Sequence, residues 1–369
     1  MAPTVQFFSL RTINSAVDVS TPIKRVLDSS HFILGKEVEG FENAFAGYCG
    51  VPHCVSVGNG TDALELGLRA LGIRTGDTVV AAANAGFYGS AAIRLIGAIP
   101  VYVDVDPVTL TMSPERLRVA LEAKPKAVIV THLYGQLADI ESIIASAAEE
   151  GIPVIEDCAQ AHGAMRDGRR AGSFGSVGCF SFYPTKNLGA LGDGGAVITS
   201  DKSTAGRLKQ LRQYGWSTKY NVELPCGRNS RMDEIQAAIL HDRLPLLDKW
   251  NAERREIALR YKTAFSGLPI TCTHSSGEDY VAHLFIIRVK HRDSFREFMK
   301  KHGVTTEVHY PIPDHLQSGY TASQNPAGLP VTEEACSKVV SLPCYPGLGL
   351  EGMEQVIRAV SLYCENGGV

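Results

Sequence analysis

Short β-branched or apolar runs alternate with helix-like stretches through most of this chain, and that alternation restricts the fold more than any other feature. The runs are Val79 to Ala83, Pro100 to Val103, Ala127 to Thr131, Pro153 to Ile155, Gly178 to Phe182 and Ala196 to Thr199, with helical patterns at Pro114 to Leu121 and Ile140 to Glu150 among them. Such an order predicts an α/β protein with a mixed, mostly parallel sheet and helices on both faces. Ligands in such sheets bind beyond the carboxyl ends of the strands, so the loops after these runs are where chemistry is expected.

A helix is predicted from near Thr61, with Leu64, Leu68 and Leu71 on one face and Asp62 with Glu65 as its capped start. Another begins near Ser230, carries Met232, Ile235 and Ile239, and is stopped or kinked by Pro245. After Trp250 the pattern changes to a charged helix, a strand-like Ala282 to Lys290, a helix Asp293 to His302 and a last helix Gly352 to Glu365. The division expected is a large domain over residues 1–245, including an N-terminal arm 1–30, and a smaller α+β domain over 246–369.

The 369 residues are 44% hydrophobic and 20% charged, with a formal net charge of -3. Nothing in that balance favours a nucleic acid or a membrane surface, so an anionic ligand has to be held by a local site. The nine cysteines show no C-x-x-C pair or zinc-like spacing, which fits buried thiols in a reducing cytoplasm and no metal. Val5, Phe7, Phe8 and Leu10 make an apolar patch too short for a signal peptide, and no later segment reaches the roughly 18 apolar residues of a membrane span.

Three local patterns carry chemistry. Lys186 sits between the aromatic stretch Ser181-Phe182-Tyr183 and a glycine-rich turn, where a desolvated amine becomes a nucleophile towards carbonyls; a surface lysine beside an ordinary strand fits the same letters. Gly58-Asn59-Gly60-Thr61 leads into a helix whose free N–H groups suit a phosphate, although a plain glycine turn reads alike. Asp157 ends an apolar run, and a buried carboxylate there needs a cation such as a protonated heterocyclic nitrogen. A helix cap or a metal carboxylate competes for Asp157, with His162 the one further ligand nearby. In this order, phosphate cradle, strand-end aspartate and lysine are the protein parts that a pyridoxal phosphate enzyme requires.

The stretches GNGTDAL at 58–64, HLYGQ at 132–136, EDCAQAHGA at 156–164, SFYPTKNLGALGDGG at 181–195, GRNSRMDEIQAA at 227–238 and YPIPDH at 310–315 span nearly the whole chain. It resembles in them the DegT/DnrJ/EryC1/StrS family of sugar aminotransferases, of the aspartate-aminotransferase-like fold (fold type I). AANAGFYGS at 82–90 and YGWSTKYNVELP at 214–225 are most similar to members that aminate the 3-keto group of dTDP-linked 6-deoxyhexoses; a 4-keto sugar is the alternative.

The resemblance implies that Lys186 carries pyridoxal 5'-phosphate (PLP, alternating with its amine form PMP) as a Schiff base and that Asp157 pairs with the ring nitrogen. Gln160 is expected near the ring hydroxyl, and Ser181, Gly60 and Thr61 at the phosphate. Asn229 is expected to reach that phosphate from the other subunit of a homodimer. Because Ala85-Gly86-Phe87-Tyr88 departs from the usual Ser/Thr-Phe of the family, either Phe87 or Tyr88 is expected to supply the plane that stacks on the ring, and both read equally as core aromatics. Tyr183, Lys219, Tyr220, His309, Tyr310 and His315 match positions near the sugar nucleotide, and L-glutamate is the implied amino donor. A lyase branch of the family has histidine where this chain has Lys186, and PLP-binding regulators add a DNA-binding segment for which residues 1–30 are too short and not basic.

Overall fold

The computed structural model describes residues 4–272, 277–320 and 328–367. Seven strands form the main sheet: β1 (His53–Val57), β2 (Thr78–Ala82), β3 (Ile99–Val103), β4 (Ala127–Thr131), β5 (Val154–Asp157), β6 (Val177–Ser181) and β7 (Gly195–Thr199). Their spatial order is β1-β7-β6-β5-β4-β2-β3, and only β7 runs against its neighbours. The apolar runs read from the sequence are these strands to within a residue or two. β1 escaped because His53-Cys54-Val55-Ser56-Val57 offers only a short run with two polar positions.

Parallel strands need crossovers, and the chain supplies them with amphipathic helices such as Gly60–Ala70, Pro114–Leu121 and Ile140–Glu149. The central strands are therefore covered on both faces, and all four residues of β5 are buried. The helix Gly60–Ala70 is capped by Asn59, whose side chain accepts from the Asp62 N–H at 2.9 Å. The expected cap, Asp62, is used elsewhere: its carboxylate accepts from Arg228 and from Ser230 Oγ.

The helix Glu234–Arg243 ends where Pro245 enters a single 3-10 turn, and the chain continues as the long helix Leu247–Ala264. Beyond it, strands Thr271–Cys272, Phe285–Arg288 and Val339–Leu342 pair as a small antiparallel sheet. With helices Arg292–Lys301 and Gly349–Glu365 this sheet encloses its own core of Phe285, Ile287, Phe295, Met299, Val340, Val356 and Val360. Two residues of the N-terminal apolar patch, Val5 and Phe8, belong to that core, whereas Phe7 packs against the core of the main sheet and Leu10 is exposed. Val5 exchanges backbone hydrogen bonds with Gly303 and Thr305, and Phe8 packs against Tyr345. Among the described residues no helix is long and apolar enough to cross a membrane.

Candidate active site

β5 and β6 are parallel neighbours with Asp157 opposite Cys179, so β6 runs two residues further and ends at Ser181 beside the end of β5. A cleft of about 660 Å3 opens at this edge, lined by Gly60, Thr61, Asp157, Ser181 and Lys186 together with Tyr88, Tyr183, His283, His309 and Tyr310. The three separate sequence patterns thus meet on one surface.

Asp157 is 4% exposed. Its carboxylate accepts from the Ala159 N–H at 3.1 Å and from Thr131 Oγ1 at 3.3 Å, two donors for a group able to accept about four. Burial raises its pKa above the ordinary value, and the Ala159 hydrogen bond and the Lys186 charge oppose that only in part. A cation hydrogen-bonded to this carboxylate would relieve the penalty, which is what a protonated ring nitrogen supplies.

Lys186 stands in the loop after β6, in a turn closed by its own N–H to Tyr183 O at 2.8 Å. Among the described residues its Nζ has no hydrogen-bond or ion-pair partner. Surrounding protein lowers the ammonium pKa from 10.5 to about 8, with Asp157 pulling the other way. A lysine with that pKa is partly an uncharged amine near neutral pH, the state that attacks carbonyls.

The helix start at Gly60 provides the third element. The N–H groups of Gly60 and Thr61 have no intrahelical acceptor, as at any helix N-terminus, and meet no other protein acceptor among the described residues. Ser181 Oγ lies alongside, accepting among the described residues only a 3.3 Å hydrogen bond from the Tyr183 N–H. Glycine is required at position 60 because a Cβ there would lie 2.5 Å from Ser181 Cβ. An under-partnered buried acid, a free amine of lowered pKa and an open anion cradle fit the ring nitrogen, aldehyde and phosphate of PLP.

The other expected residues divide. Tyr88 lines the cleft, half-exposed, whereas Phe87 does not line it and packs tilted against Tyr320, ring centroids 4.7 Å apart. Gln160 is buried with its amide engaged at both ends, accepting from the Tyr134 N–H at 2.6 Å and donating to Tyr310 Oη at 3.1 Å. His309 lines the cleft, bonded to Ser341 Oγ at 2.7 Å, and burial lowers its pKa to about 4. His315 does not line it: its Nε2 lies 3.0 Å from Glu333. Lys219 and Tyr220 sit on the exposed ribbon Trp216–Thr218/Asn221–Val222, and Asn229 is exposed and bonded to Arg231. None of these three lines the cleft of its own chain.

Sequence reasoning missed His283, which lies in an apolar run without any local motif. Asn187 Nδ2 donates to Val281 O at 2.9 Å and to Asn251 Oδ1 at 2.8 Å, so Asn187 Oδ1 must accept from His283 Nδ1 at 2.9 Å. That fixes the tautomer and leaves Nε2 as an acceptor. The ring lines the cleft and burial keeps it neutral.

His132, Glu156 and Cys158 form a buried group with ligand atoms within 4.8 Å of one another, but hydrogen bonds use its capacity. His132 Nδ1 accepts from the Ala138 N–H, so Nε2 donates to Glu156 at 2.9 Å. The same carboxylate accepts from the N–H groups of Gly172, Phe174 and Gly175 at 2.6–2.8 Å, which fills both oxygens and holds the loop before β6.

The comparisons agree with this geometry. The model of the DegT/DnrJ/EryC1/StrS aminotransferase family matches residues 16–361. dTDP-3-amino-3,6-dideoxy-alpha-D-galactopyranose transaminase of Aneurinibacillus thermoaerophilus is 45% identical over 97% of this chain and 99% of its own. dTDP-3-amino-3,4,6-trideoxy-alpha-D-glucose transaminase of Streptomyces venezuelae is 42% identical over 98% of this chain and 97% of its own. The crystal structure of S. venezuelae DesV in complex with a ketimine intermediate superposes with a TM-score of 0.95 at 41% identity, covering 99% of both chains. With the anion cradle, the strand-end acid and the free lysine in one cleft, the chain belongs to the DegT/DnrJ/EryC1/StrS aminotransferase family and is a PLP-dependent aminotransferase.

Proposed function

We propose that this enzyme moves an amino group from L-glutamate to the 3-keto group of a dTDP-linked 6-deoxyhexose, giving a dTDP-3-amino-3,6-dideoxyhexose. The observation that carries the chemistry is Lys186: an unpaired amine, its pKa lowered to about 8, in the same cleft as the buried Asp157. The substrate class rests on the two transaminases of 3-aminosugar nucleotides that match over nearly the full chain.

PLP, when bound, supplies an electron sink for negative charge at the carbon bearing the nitrogen. The protein residues divide the remaining work. Asp157 holds a proton on the ring nitrogen by pairing with it, and Gly60, Thr61 and Ser181 bind the phosphate. Lys186 Nζ would hold the cofactor through its aldehyde, and as a free amine would take and return the proton at the reacting carbon. Tyr88 covers the ring. His283 Nε2 and His309 offer uncharged polar contacts, and Tyr183 and Tyr310 wall the sugar site. Lys219, Tyr220 and Asn229, exposed on one chain, act in the cleft of the other subunit.

The test is a product analysis with glutamate and a panel of 3-keto and 4-keto dTDP-6-deoxyhexoses. The wild-type cofactor should convert to its amine form with glutamate and return on adding a 3-keto sugar, and Lys186→Ala should complete no cycle. Return with 4-keto sugars alone would overturn the position assigned; failure to accept nitrogen from glutamate would overturn the donor.

A further inference from the structure

Two loops place the aromatic residues of the cleft. The turn 83–87 leads into the helix Tyr88–Leu95, which opens with Tyr88, and segment 309–314 carries His309 and Tyr310. Tyr88 and Tyr310 meet edge to face, their centroids 6.1 Å apart. The first loop takes an uncommon path, with Gly86 at φ +77° and Phe87 at φ +70°, both left-handed. A Cβ on Gly86 would lie 2.7 Å from the Tyr310 ring, so the loops approach as closely as backbone and ring allow. A non-glycine residue held left-handed is unfavourable unless its surroundings fix it.

One side chain fixes it. Asp314, 2% exposed, accepts from the Phe87 N–H at 2.9 Å through Oδ1 and from Ser90 Oγ at 2.5 Å through Oδ2. Tyr102 of β3 donates to the same Ser90 hydroxyl at 3.0 Å, and the Asp314 N–H donates to Ala83 O at 2.7 Å. Two hydrogen bonds thus meet at the Asp314 carboxylate, a third links Ser90 to the sheet, and a fourth runs from the Asp314 backbone to Ala83. From the other side, Gln160 Nε2 donates to Tyr310 Oη and Tyr134 Oη donates to His309 O. Asp314 is costly where it stands, since burial raises its pKa to about 7 and no cation among the described residues pairs with it. An apolar residue would pack there without that cost.

We propose that Asp314 is a positioning residue of the active site: its carboxylate ties the turn and helix start that present Tyr88 to the segment bearing His309 and Tyr310, and so sets the spacing of the aromatic walls that receive cofactor and sugar. This rests on the reading of the cleft as the PLP site. Asp314 is far along the chain from Tyr88 and touches neither the cofactor cradle nor Lys186, so its effect reaches the chemistry only through the loop.

The test compares wild type with Asp314→Leu, Asp314→Asn and Ser90→Ala. Asparagine can still accept from Phe87 and meet Ser90, whereas leucine can do neither. For Asp314→Leu the Kd for PLP, read from the absorbance of the lysine-bound cofactor, should rise about tenfold, and kcat/KM for the keto sugar should fall about 10- to 100-fold. Hydrogen exchange at the Phe87 amide of the cofactor-free protein should quicken. Asp314→Asn should restore all three to within about threefold of wild type, and Ser90→Ala should fall between. If Asp314→Leu does not fold, Ser90→Ala alone decides: a Kd and kcat/KM equal to wild type overturn the proposal. A folded Asp314→Leu with wild-type values for both also overturns it, while wild-type protein that binds no PLP overturns the underlying reading instead.

Discussion

Lys186 and Asp157 are chemically informative because each is a costly residue for its place: an ammonium and a carboxylate where most neighbours are apolar. The cost was legible in the sequence for Lys186, between Tyr183 and the glycine-rich turn, and for Asp157 at the end of an apolar run. It was not legible for His283 or Asp314, because their burial comes from segments distant in the chain. The choice between Phe87 and Tyr88 likewise depended on a left-handed backbone at Phe87, which no adjacent-residue pattern announces. A pH prediction belongs here. With the Lys186 pKa at about 8, the reactive amine form grows as pH rises through that value, not through 10.5. The rate at which cofactor-free protein takes up PLP, followed by stopped-flow absorbance, should therefore rise with a midpoint near 8. Asp157 opposes the lowering, so Asp157→Asn should move the midpoint to lower pH. A midpoint unchanged by that substitution, or one near 10.5, would count against the electrostatics described.

At the scale of elements, the sequence disclosed strands better than the polar joints between them. Apolar runs predict strands because burial on both faces selects them residue by residue. The joints use single acids from elsewhere. Asp62 binds Arg228 and Ser230, and Gly58 donates to Ser230 Oγ at 3.0 Å, so the loop before the helix Gly60–Ala70 is braced by the segment that carries Asn229. Glu234 is a second case: buried at the start of its own helix, it accepts from the N–H groups of Gly35, Glu37 and Val38 at 2.8–3.0 Å and caps the helix Lys36–Cys49. Gly35 itself offers no capping side chain. Glu234→Ala should lower stability by about 1–3 kcal/mol, the cost of leaving such donors unsatisfied, as measured by urea unfolding. Glu234→Gln should lose less, because one amide oxygen still accepts. An alanine variant as stable as wild type would mean that water caps the helix equally well.

For the whole molecule, the question is why residues matching the family's site lie outside the cleft of this chain. Asn229, Lys219 and Tyr220 occupy a strip around the exposed ribbon, and Tyr214, Tyr220 and Val222 leave 42%, 77% and 60% of their surfaces exposed there. Large apolar groups clustered on an exposed ribbon mark a surface that meets another protein. No reading of one chain's periodicity can say what these exposed residues face. If each cleft takes Lys186 from one subunit and Asn229 from its partner copy, two defective chains should complement each other. Lys186→Ala removes the amine from one site, and Asn229→Ala damages the opposite one. Mixed, dissociated and reassembled in equal amounts, the two variants form hybrids in which one cleft has both native residues and the other has neither. Random pairing then restores roughly a quarter of the wild-type site concentration, although each variant alone is impaired. Recovered activity of that size, measured as aminosugar formed from glutamate, would establish the shared site. Activity equal to the average of the separate variants would place Asn229 in the cleft of its own chain or outside the chemistry altogether.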